Sequence, residues 1–213
     1  MNILKKFWKK YAYTLLIAFI IGGLFDIRVA LIAILCMVGP ILFALLGKGR
    51  FWCGNICPRG NFYDNILKKF SKNKPTDRLL RSSIFRGIII LFMFYMFGTG
   101  ISRNWGNIRG IGMVFYRMII ATTFVGVVLS QFFNQRTWCS FCPMGSISAL
   151  ISKFKKNKKA LVVSSSCVSC KLCERKCPMG IVPHEYKGDI LKHEDCIQCG
   201  ECANVCPKDA INM

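Results

Sequence analysis

Eight of the thirteen cysteines lie near the carboxyl end, in two runs of identical spacing. The runs are Cys167-x2-Cys170-x2-Cys173-x3-Cys177 and Cys196-x2-Cys199-x2-Cys202-x3-Cys206, and a proline follows the last cysteine of each. In this pattern three closely spaced thiolates bind one 4Fe–4S cluster, and the cysteine before proline binds the other cluster. The spacing therefore predicts two clusters with exchanged fourth ligands: cluster I on Cys167, Cys170, Cys173 and Cys206, and cluster II on Cys196, Cys199, Cys202 and Cys177.

Zinc is the main alternative to iron at these cysteines. A zinc site needs four ligands and usually shows two separated Cys-x2-Cys pairs, without a third cysteine so close by. Residues 164–213 resemble the bacterial-type two-cluster 4Fe–4S ferredoxins instead. That resemblance implies a small α+β domain in which the clusters compensate for a small apolar core.

Four further cysteines occur in a motif that is repeated earlier in the chain. The copies are Trp52-Cys53-Gly54-Asn55-Ile56-Cys57-Pro58 and Trp138-Cys139-Ser140-Phe141-Cys142-Pro143, and their first cysteines lie 86 residues apart. Each copy follows two apolar runs and precedes a basic stretch with apolar residues at helical spacing. The apolar stripes are Phe62, Ile66, Leu67 and Phe70 in the first copy, and Ile147, Leu150, Ile151 and Phe154 in the second. We therefore predict a duplicated unit in which each stripe forms an interfacial helix.

Duplication predicts that Cys53, Cys57, Cys139 and Cys142 meet on one side of the membrane. Pro58 and Pro143 each suit the first turn of a helix, whose positive end favours an anionic cluster beside it. The four sulfurs are thus candidate ligands of a third iron–sulfur cluster or of another metal. Two alternatives stay open: redox-active thiols that exchange disulfides, and paired turn cysteines without chemistry.

Apolar runs that could position these motifs in a membrane occupy residues 11–25, 29–46, 87–101 and 111–133. The first run has 15 residues, which is short for a hydrocarbon core of about 30 Å unless Phe7 and Trp8 extend it. It also has the length of a signal-peptide core, but no cleavage site follows it. We predict four transmembrane helices, arranged as two hairpins.

Charge separates the chain into two predicted domains. Residues 1–159 hold 24 basic and 3 acidic side chains, whereas residues 160–213 hold 6 basic and 7 acidic ones, for a net charge of +20.

Basic residues between long apolar runs indicate membrane topology rather than a nucleic-acid partner. The positive-inside rule then places both termini, the 47–83 loop and the ferredoxin-like domain in the cytoplasm, on a multi-pass protein of the inner membrane. In that reducing compartment disulfides are disfavoured. The basic 47–83 loop is also a candidate docking surface for the more acidic domain.

Isolated polar residues carry weaker signals. Arg117 lies within the fourth apolar run and is a candidate contact for a quinone, although snorkelling to the headgroups is the favoured interpretation. Cys36 is expected to be a packing residue, and His184 and His193 are expected at the surface. The sequence shows no nucleophile–base arrangement, so we predict no catalytic residue.

Two membrane hairpins, two tryptophan–cysteine motifs and the two-cluster tail together resemble the NapH/NosR-type membrane ferredoxins over nearly the whole chain. These are accessory electron-transfer proteins of nitrate and nitrous-oxide respiration. Their pattern has Cys-x3-Cys-Pro in both motifs, which Cys53 and Cys57 match, whereas Cys139 and Cys142 are one residue closer together.

The resemblance implies an electron relay between a cytosolic donor or acceptor and a membrane or redox-enzyme partner. Such a protein would be a subunit of an oxidoreductase complex that has no substrate site of its own. Two other functions remain open, a membrane redox sensor or regulator and a thiol–disulfide carrier that uses the Cys53/Cys57 and Cys139/Cys142 pairs.

Overall fold

The first apolar run belongs to a helical segment longer than the run itself. A computed structural model describes residues 3–72, 74, 76–155 and 161–212, with side chains from residue 7 onward. Helix α1 (Ile3–Tyr11) precedes α2 (Tyr13–Phe25), and Ala12 between them keeps a right-handed helical backbone. Because the Ala12 N–H donates to the carbonyl oxygen of Trp8 at 2.8 Å, the chain is helical from residue 3 to residue 25. A helix of that length reaches about 34 Å.

A polar turn at Asp26 reverses the chain into the second apolar run. The Asp26 carboxylate accepts a hydrogen bond from the Arg28 N–H at 2.9 Å and caps a 3-10 segment, Ile27–Ile32. That segment leads directly into α3 (Ala33–Leu45). The remaining helices of this part are α4 (Phe51–Asn55), α5 (Pro58–Asn65), α6 (Arg78–Arg81), α7 (Ser83–Arg103), α8 (Ile108–Phe132), α9 (Thr137–Phe141) and α10 (Pro143–Phe154).

The same order of elements occurs twice. A hairpin of long helices, a five-residue helix with the first cysteine, and a helix that begins at proline follow one another in each half. The two units are α2–α3–α4–α5 and α7–α8–α9–α10. The duplication inferred from the motifs is therefore visible in the fold.

Three helical segments among the described residues are long and apolar enough to cross a membrane. They are Ile27–Leu45, Ser83–Arg103 and Ile108–Phe132, whereas α2 is a shorter apolar helix. Every residue of α7 is exposed or half-buried, and large apolar side chains such as Ile84 and Leu91 are over 70% exposed. So large an apolar surface indicates contact with lipid.

Small residues hold α10 against α3. Gly145, Ser148, Ala149 and Ser152 are buried, and the Ser148 hydroxyl donates to the carbonyl oxygen of Pro40 at 3.2 Å. The predicted stripe at Ile147, Leu150, Ile151 and Phe154 lies on the other side of the helix, half-buried or exposed. The stripe is therefore free to face lipid, as an interfacial helix requires.

The first stripe does not form one continuous helix. Helix α5 ends at Asn65, and a 3-10 turn follows at Leu67–Lys69. Leu67 is buried in a cluster with Tyr63, Trp138 and Phe141, while Phe70 stays exposed. Burial of Leu67 between the two repeats thus bends the chain away from the predicted helical path.

The carboxyl-terminal part is a small domain around two short strands. Strand β1 (Val162–Val163) pairs antiparallel with β2 (Ile211–Asn212), with Val163 opposite Ile211. The connections contain α11 (Leu172–Lys176), a 3-10 turn (Pro183–Tyr186) and α12 (Glu201–Asn204). Its core combines aliphatic residues such as Leu191 and Ile197 with the cysteines of both runs. The predicted domain boundary at residues 159 and 160 lies outside the described residues.

Replacement of Gly112 by alanine tests the packing of the first hairpin against α8. A Cβ at this buried position would lie 2.7 Å from the carbonyl oxygen of Ile27, which is backbone and cannot turn away. We expect Gly112→Ala to destabilise the protein by about 1–3 kcal/mol and to lower the unfolding temperature in detergent.

The matched control is Gly98→Ala in α7, where a Cβ would meet nothing within 4 Å in the described part of the chain. Alanine there should leave stability unchanged or raise it. Equal unfolding temperatures for both variants would contradict the packing described here.

Candidate functional site

The two cysteine runs of the tail adopt one backbone conformation. Left-handed residues recur at equivalent places, 29 residues apart: Ser169 and Gln198, Lys171 and Gly200, and Gly180 and Asp209. The N–H of Ile181 donates to Cys177 Sγ at 3.4 Å, and the N–H of Ala210 donates to Cys206 Sγ at 3.3 Å. Left-handed turns of this kind make the concave backbone surfaces that bind anions and iron–sulfur clusters.

Each predicted ligand set of the tail surrounds a cavity of its own. One cavity, of about 20 Å³, is lined by Cys167, Cys170, Cys173 and Cys206. Another cavity of about 20 Å³ is lined by Cys177, Cys196, Cys199 and Cys202. The fold therefore brings each run together with the proline-flanked cysteine of the other run.

The spacing of the thiols bears on whether a single metal ion or a cluster would bind. Within the described ranges, no three Cys, His, Asp or Glu side chains converge tightly enough to hold one metal ion. Zinc–sulfur bonds of about 2.3 Å would hold the four sulfurs of a site within about 4 Å of one another. In a cuboidal cluster each thiolate binds a different iron, so the sulfurs stand further apart.

The four cysteines of the repeated motif line a larger cavity among the membrane helices. It has a volume of about 430 Å³, and Cys53, Cys57, Cys139 and Cys142 all lie on its wall. Its remaining walls are mainly apolar side chains of α2, α3, α7 and α8, and Cys36 lines it as well. A cavity of this size is in the range of cofactor and ligand sites.

Two buried arginines join the repeats reciprocally. Arg50 Nη2 donates to the carbonyl oxygen of Cys139 at 2.6 Å, and Arg136 Nη1 donates to the carbonyl oxygen of Cys53 at 2.8 Å. Both side chains are almost completely buried. The arginine of each repeat therefore holds the first cysteine of the other repeat.

Glycines make room for these arginines. A Cβ on Gly60 would lie 2.5 Å from Arg136 Nη1, and a Cβ on Gly145 would lie 2.5 Å from Arg50 Nη2. Both glycines stand three residues after the second cysteine of their motif. The repeated pattern is thus longer than the cysteine motif, because it begins with arginine and ends with glycine.

The one-residue difference between the motifs is absorbed locally. The N–H groups of Cys57 and Cys142 both donate at 2.9 Å to the carbonyl oxygen of the tryptophan that opens their motif. In the first copy this bond spans five residues instead of four, so the extra residue forms a π-type turn. Cys57 and Cys142 then have nearly equal backbone angles, φ −56° and −52°, and each immediately precedes a helix that starts at proline.

Further basic groups approach the thiols. Arg59 Nη2 contacts Cys142 Sγ at 3.5 Å and Arg136 Nη1 contacts Cys139 Sγ at 3.6 Å. Arg136 is also held by Asp64 through bonds of 2.9 and 2.6 Å. Three cations, Arg50, Arg59 and Arg136, thus line the same cavity as the cysteines and favour an anionic occupant.

Burial raises the pKa of three of the site thiols, Cys53, Cys139 and Cys196. Burial raises the pKa of the Cys53 thiol to about 12, although the charge of Arg50 opposes this. Burial also raises the pKa of Cys139 against the effect of Arg136, and it raises the pKa of Cys196 to about 12. Neutral thiols are weak nucleophiles, whereas a metal centre displaces the proton when it binds.

The tail rests directly on the first motif. A Cβ on Gly54 would collide with the carbonyl oxygen of Ile197, and Asn55 Nδ2 donates to the carbonyl oxygen of Gln198 at 3.1 Å. Lys9 Nζ donates to the carbonyl oxygen of Cys199 at 2.6 Å. Asp195 and Glu201 form ion pairs with Arg50 and Lys68, at 2.9 Å each. The expected docking of the acidic tail on the 47–83 loop is therefore observed.

The structure also locates three single residues that the sequence analysis singled out. Arg117 is exposed and does not line the cavity, which fits snorkelling rather than a contact inside it. His184 is half-buried on the wall of the first tail cavity, and His193 Nδ1 accepts the Asp195 N–H at 3.1 Å. Both histidines were expected at the surface, and that expectation is wrong because each packs beside a cysteine loop.

Comparisons with known proteins find 4Fe-4S families in both the repeated part and the tail. The family described as 4Fe-4S binding domain matches residues 29–76 and again residues 116–160, and the family described as 4Fe-4S dicluster domain matches residues 166–211. The uncharacterized protein MJ0750 of Methanocaldococcus jannaschii is 31% identical over 185 residues, which are 81% of this chain and 75% of that protein. No solved structure matches the chain.

Other relatives have descriptive names. The ferredoxin-type protein NapH of Haemophilus influenzae is 26% identical over 183 residues, 78% of this chain and 62% of the relative. The methylamine utilization ferredoxin-type protein MauN of Methylobacillus flagellatus is 28% identical over 158 residues, 67% of this chain and 54% of the relative. The chain belongs to the NapH-type 4Fe-4S ferredoxins. It is an iron–sulfur electron-transfer protein associated with a membrane.

Replacement of Arg136 by lysine tests the reciprocal arginine contacts. Lysine keeps the charge but cannot bond Asp64 and the Cys53 carbonyl oxygen together, so at least one of these two groups loses its partner. We expect Arg136→Lys to destabilise the protein by about 1–3 kcal/mol, measured as a lower unfolding temperature in detergent. Arg117→Lys is the matched control and should leave that temperature unchanged, because an exposed lysine snorkels as arginine does. If Arg136→Lys unfolds at the same temperature as the protein without the substitution, the structural role of the arginine is refuted.

Proposed function

We propose that the protein relays single electrons through three 4Fe–4S clusters between a cytosolic donor or acceptor and a membrane or redox-enzyme partner. Cluster I takes Cys167, Cys170, Cys173 and Cys206, and cluster II takes Cys196, Cys199, Cys202 and Cys177. A third cluster at the membrane edge takes Cys53, Cys57, Cys139 and Cys142. The observation that carries this proposal is the convergence of those four cysteines on one cavity beneath the loop of the second run.

The residues around the large cavity suit an anionic iron–sulfur cluster. Arg50, Arg59 and Arg136 line it, and a 4Fe–4S cluster with four thiolates carries a net charge of about −2. Arg50 Nε and Trp138 Nε1 are buried donors on residues of the cavity wall that have no hydrogen-bond partner within the described residues. Sulfides and thiolates of a cluster are acceptors that such donors can bond.

Packing supports one order of electron transfer among the proposed clusters. Cys53 and Cys139 pack against the core of the tail, and Cys196 and Cys199 pack against the same core. Cys170, in the ligand set of cluster I, is exposed to solvent. Cluster I would therefore exchange electrons with a partner, cluster II would stand between, and the cluster held by the membrane-edge cysteines would be last. When bound, each cluster accepts or releases one electron.

The membrane arrangement completes the proposal. Helix α2, extended by α1, supplies a fourth span beside Ile27–Leu45, Ser83–Arg103 and Ile108–Phe132. With four spans, the two motifs lie on the same side of the membrane, which is the cytoplasmic side in this proposal. Residues 1–159 form the membrane domain and residues 160–213 form the ferredoxin-like α+β domain. The chain would then act as an electron-transfer subunit of a larger oxidoreductase complex.

A lipid-soluble carrier such as a quinone is a second partner that the cavity favours. Beyond the cysteines its wall is formed by apolar side chains, including Leu16, Phe97, Phe115 and Ile119. A quinone in the apolar part of the cavity would lie beside the membrane-edge cluster without contacting Arg117. The proposed quinone contact is therefore the apolar wall of the cavity instead of Arg117.

Iron content distinguishes the proposed functions. We expect the anaerobically purified protein to hold about twelve irons per chain, and Cys139→Ser to hold about eight, because only the membrane-edge cluster loses a ligand. The tail clusters should keep their EPR signals on reduction. Iron and sulfide analysis together with EPR of the reduced protein provide the measurement.

Cys36→Ser is the matched control, because Cys36 lines the same cavity but has no counterpart in the repeat. It should retain about twelve irons. About eight irons in the unaltered protein would favour the thiol–disulfide carrier at the membrane edge, and zinc in place of iron would remove the electron relay.

Labelling with a membrane-impermeant maleimide tests the orientation. The exposed Trp105 lies in the short link between α7 and α8, and Lys187 is an exposed residue of the tail. We expect Trp105→Cys to react in intact cells and Lys187→Cys to react only after permeabilisation, because the positive charges keep the tail inside. The reverse pattern would overturn the proposed topology.

A further inference from the structure

The carboxylate of Asp195 is clamped in the contact between the tail and the membrane domain. Arg50 Nη1 donates to Asp195 Oδ1 at 2.9 Å. Arg86 donates through both Nη atoms, to Oδ1 at 3.0 Å and to Oδ2 at 2.7 Å. Arg50 precedes α4 and Arg86 lies on α7, so one tail residue joins both repeats of the membrane domain.

This ion-pair cluster is shielded from water. The side chains of Arg50, Arg86 and Asp195 are 0%, 14% and 8% exposed. Burial alone would raise the pKa of Asp195, but the hydrogen bonds from Arg86 and the charge of Arg50 hold it below its usual value. Removal of one member would leave an uncompensated buried charge, which is far more costly than the loss of a surface pair.

Asp195 and Arg50 also connect the surroundings of two proposed clusters. Asp195 directly precedes Cys196, the first cysteine of the second run. Arg50 Nη2 donates to the carbonyl oxygen of Cys139, a cysteine of the membrane-edge set. A single guanidinium therefore bonds the loop of cluster II on one side and the membrane-edge motif on the other.

A second ion pair among the described residues of this interface is weaker. Lys68 and Glu201 form an ion pair at 2.9 Å, but their side chains are 45% and 40% exposed. Exposed pairs of this kind contribute little because water screens them. Other contacts include hydrogen bonds to backbone carbonyl oxygens, such as that from Gln198 Nε2 to Lys48 at 3.0 Å, and the packing of Cys53 and Cys139 against the core of the tail.

We propose that Asp195 is a positioning residue that fixes cluster II against the membrane-edge site. The redox partner of cluster II is then this chain's own third cluster rather than an external protein, which rests on the proposed function. In the step concerned one electron passes, cluster II is oxidised by one electron and the third cluster is reduced by one, while no bond forms or breaks. Because electron tunnelling weakens steeply with distance, a loosened tail would disconnect the third cluster.

The experiment compares the unaltered full-length protein with Asp195→Asn and Arg86→Lys, all purified anaerobically in detergent. Lys68→Gln is the matched control in the same interface. Three quantities are measured: iron per chain, the magnetic broadening of the third cluster's EPR signal by reduced cluster II, and amide hydrogen exchange over residues 194–201. The signal of the third cluster is the one that Cys139→Ser removes.

We expect Asp195→Asn to keep about twelve irons but to lose the broadening. Amide exchange over residues 194–201 should accelerate by about a hundredfold, because a buried charge loses its partner. Arg86→Lys should change both readouts in the same direction, whereas Lys68→Gln should change neither.

Unchanged broadening and exchange in Asp195→Asn, at full iron content, would overturn the positioning role. If Asp195→Asn does not accumulate, Arg86→Lys decides by the same two outcomes. About eight irons in the unaltered protein would refute the third cluster itself. Failure of the proposed function is therefore distinguishable from failure of this inference.

Discussion

Buried positive charge is the constraint on which the rest of this structure depends. Arg50 and Arg136 are withdrawn from water, and a guanidinium in that state is tolerated only when its donors are bonded. The acceptors are the backbone of the opposite motif and two carboxylates, Asp64 and Asp195. These bonds determine where the cysteines stand and where the tail docks. An anionic cluster would complete the charge balance of the cavity.

The reciprocal geometry follows from duplication. Neither repeat could bury its own arginine alone, because the carbonyl oxygen that each arginine bonds and the glycine that leaves space for it belong to the other copy. Such an arrangement makes one site out of two half-sites. The two motifs differ in length by one residue, and the wider turn before Cys57 compensates for this difference. That turn restores the position of the cysteine relative to its helix.

Some of this architecture could be predicted from local pattern. The exchange of Cys177 and Cys206 between runs was predicted from spacing, and the cavities group those cysteines in the same way. Arg50 and Arg136 were missed, although they stand 86 residues apart, as the first cysteines of the motifs do. The available signal was an arginine three residues before the first cysteine of each motif. The expected helical stripe through Phe70 failed because burial of Leu67 between repeats outweighed local periodicity.

By itself the sequence determined the cysteine groupings of the tail, the apolar helices and the duplicated motif, because each depends on residues that are near one another or repeat at a constant interval. Only the tertiary structure decided which charges pair. Asp195 meets Arg50 and Arg86 across more than a hundred residues. Such pairs form when folding excludes water from a shared interface, and no local pattern records which surfaces will be brought together.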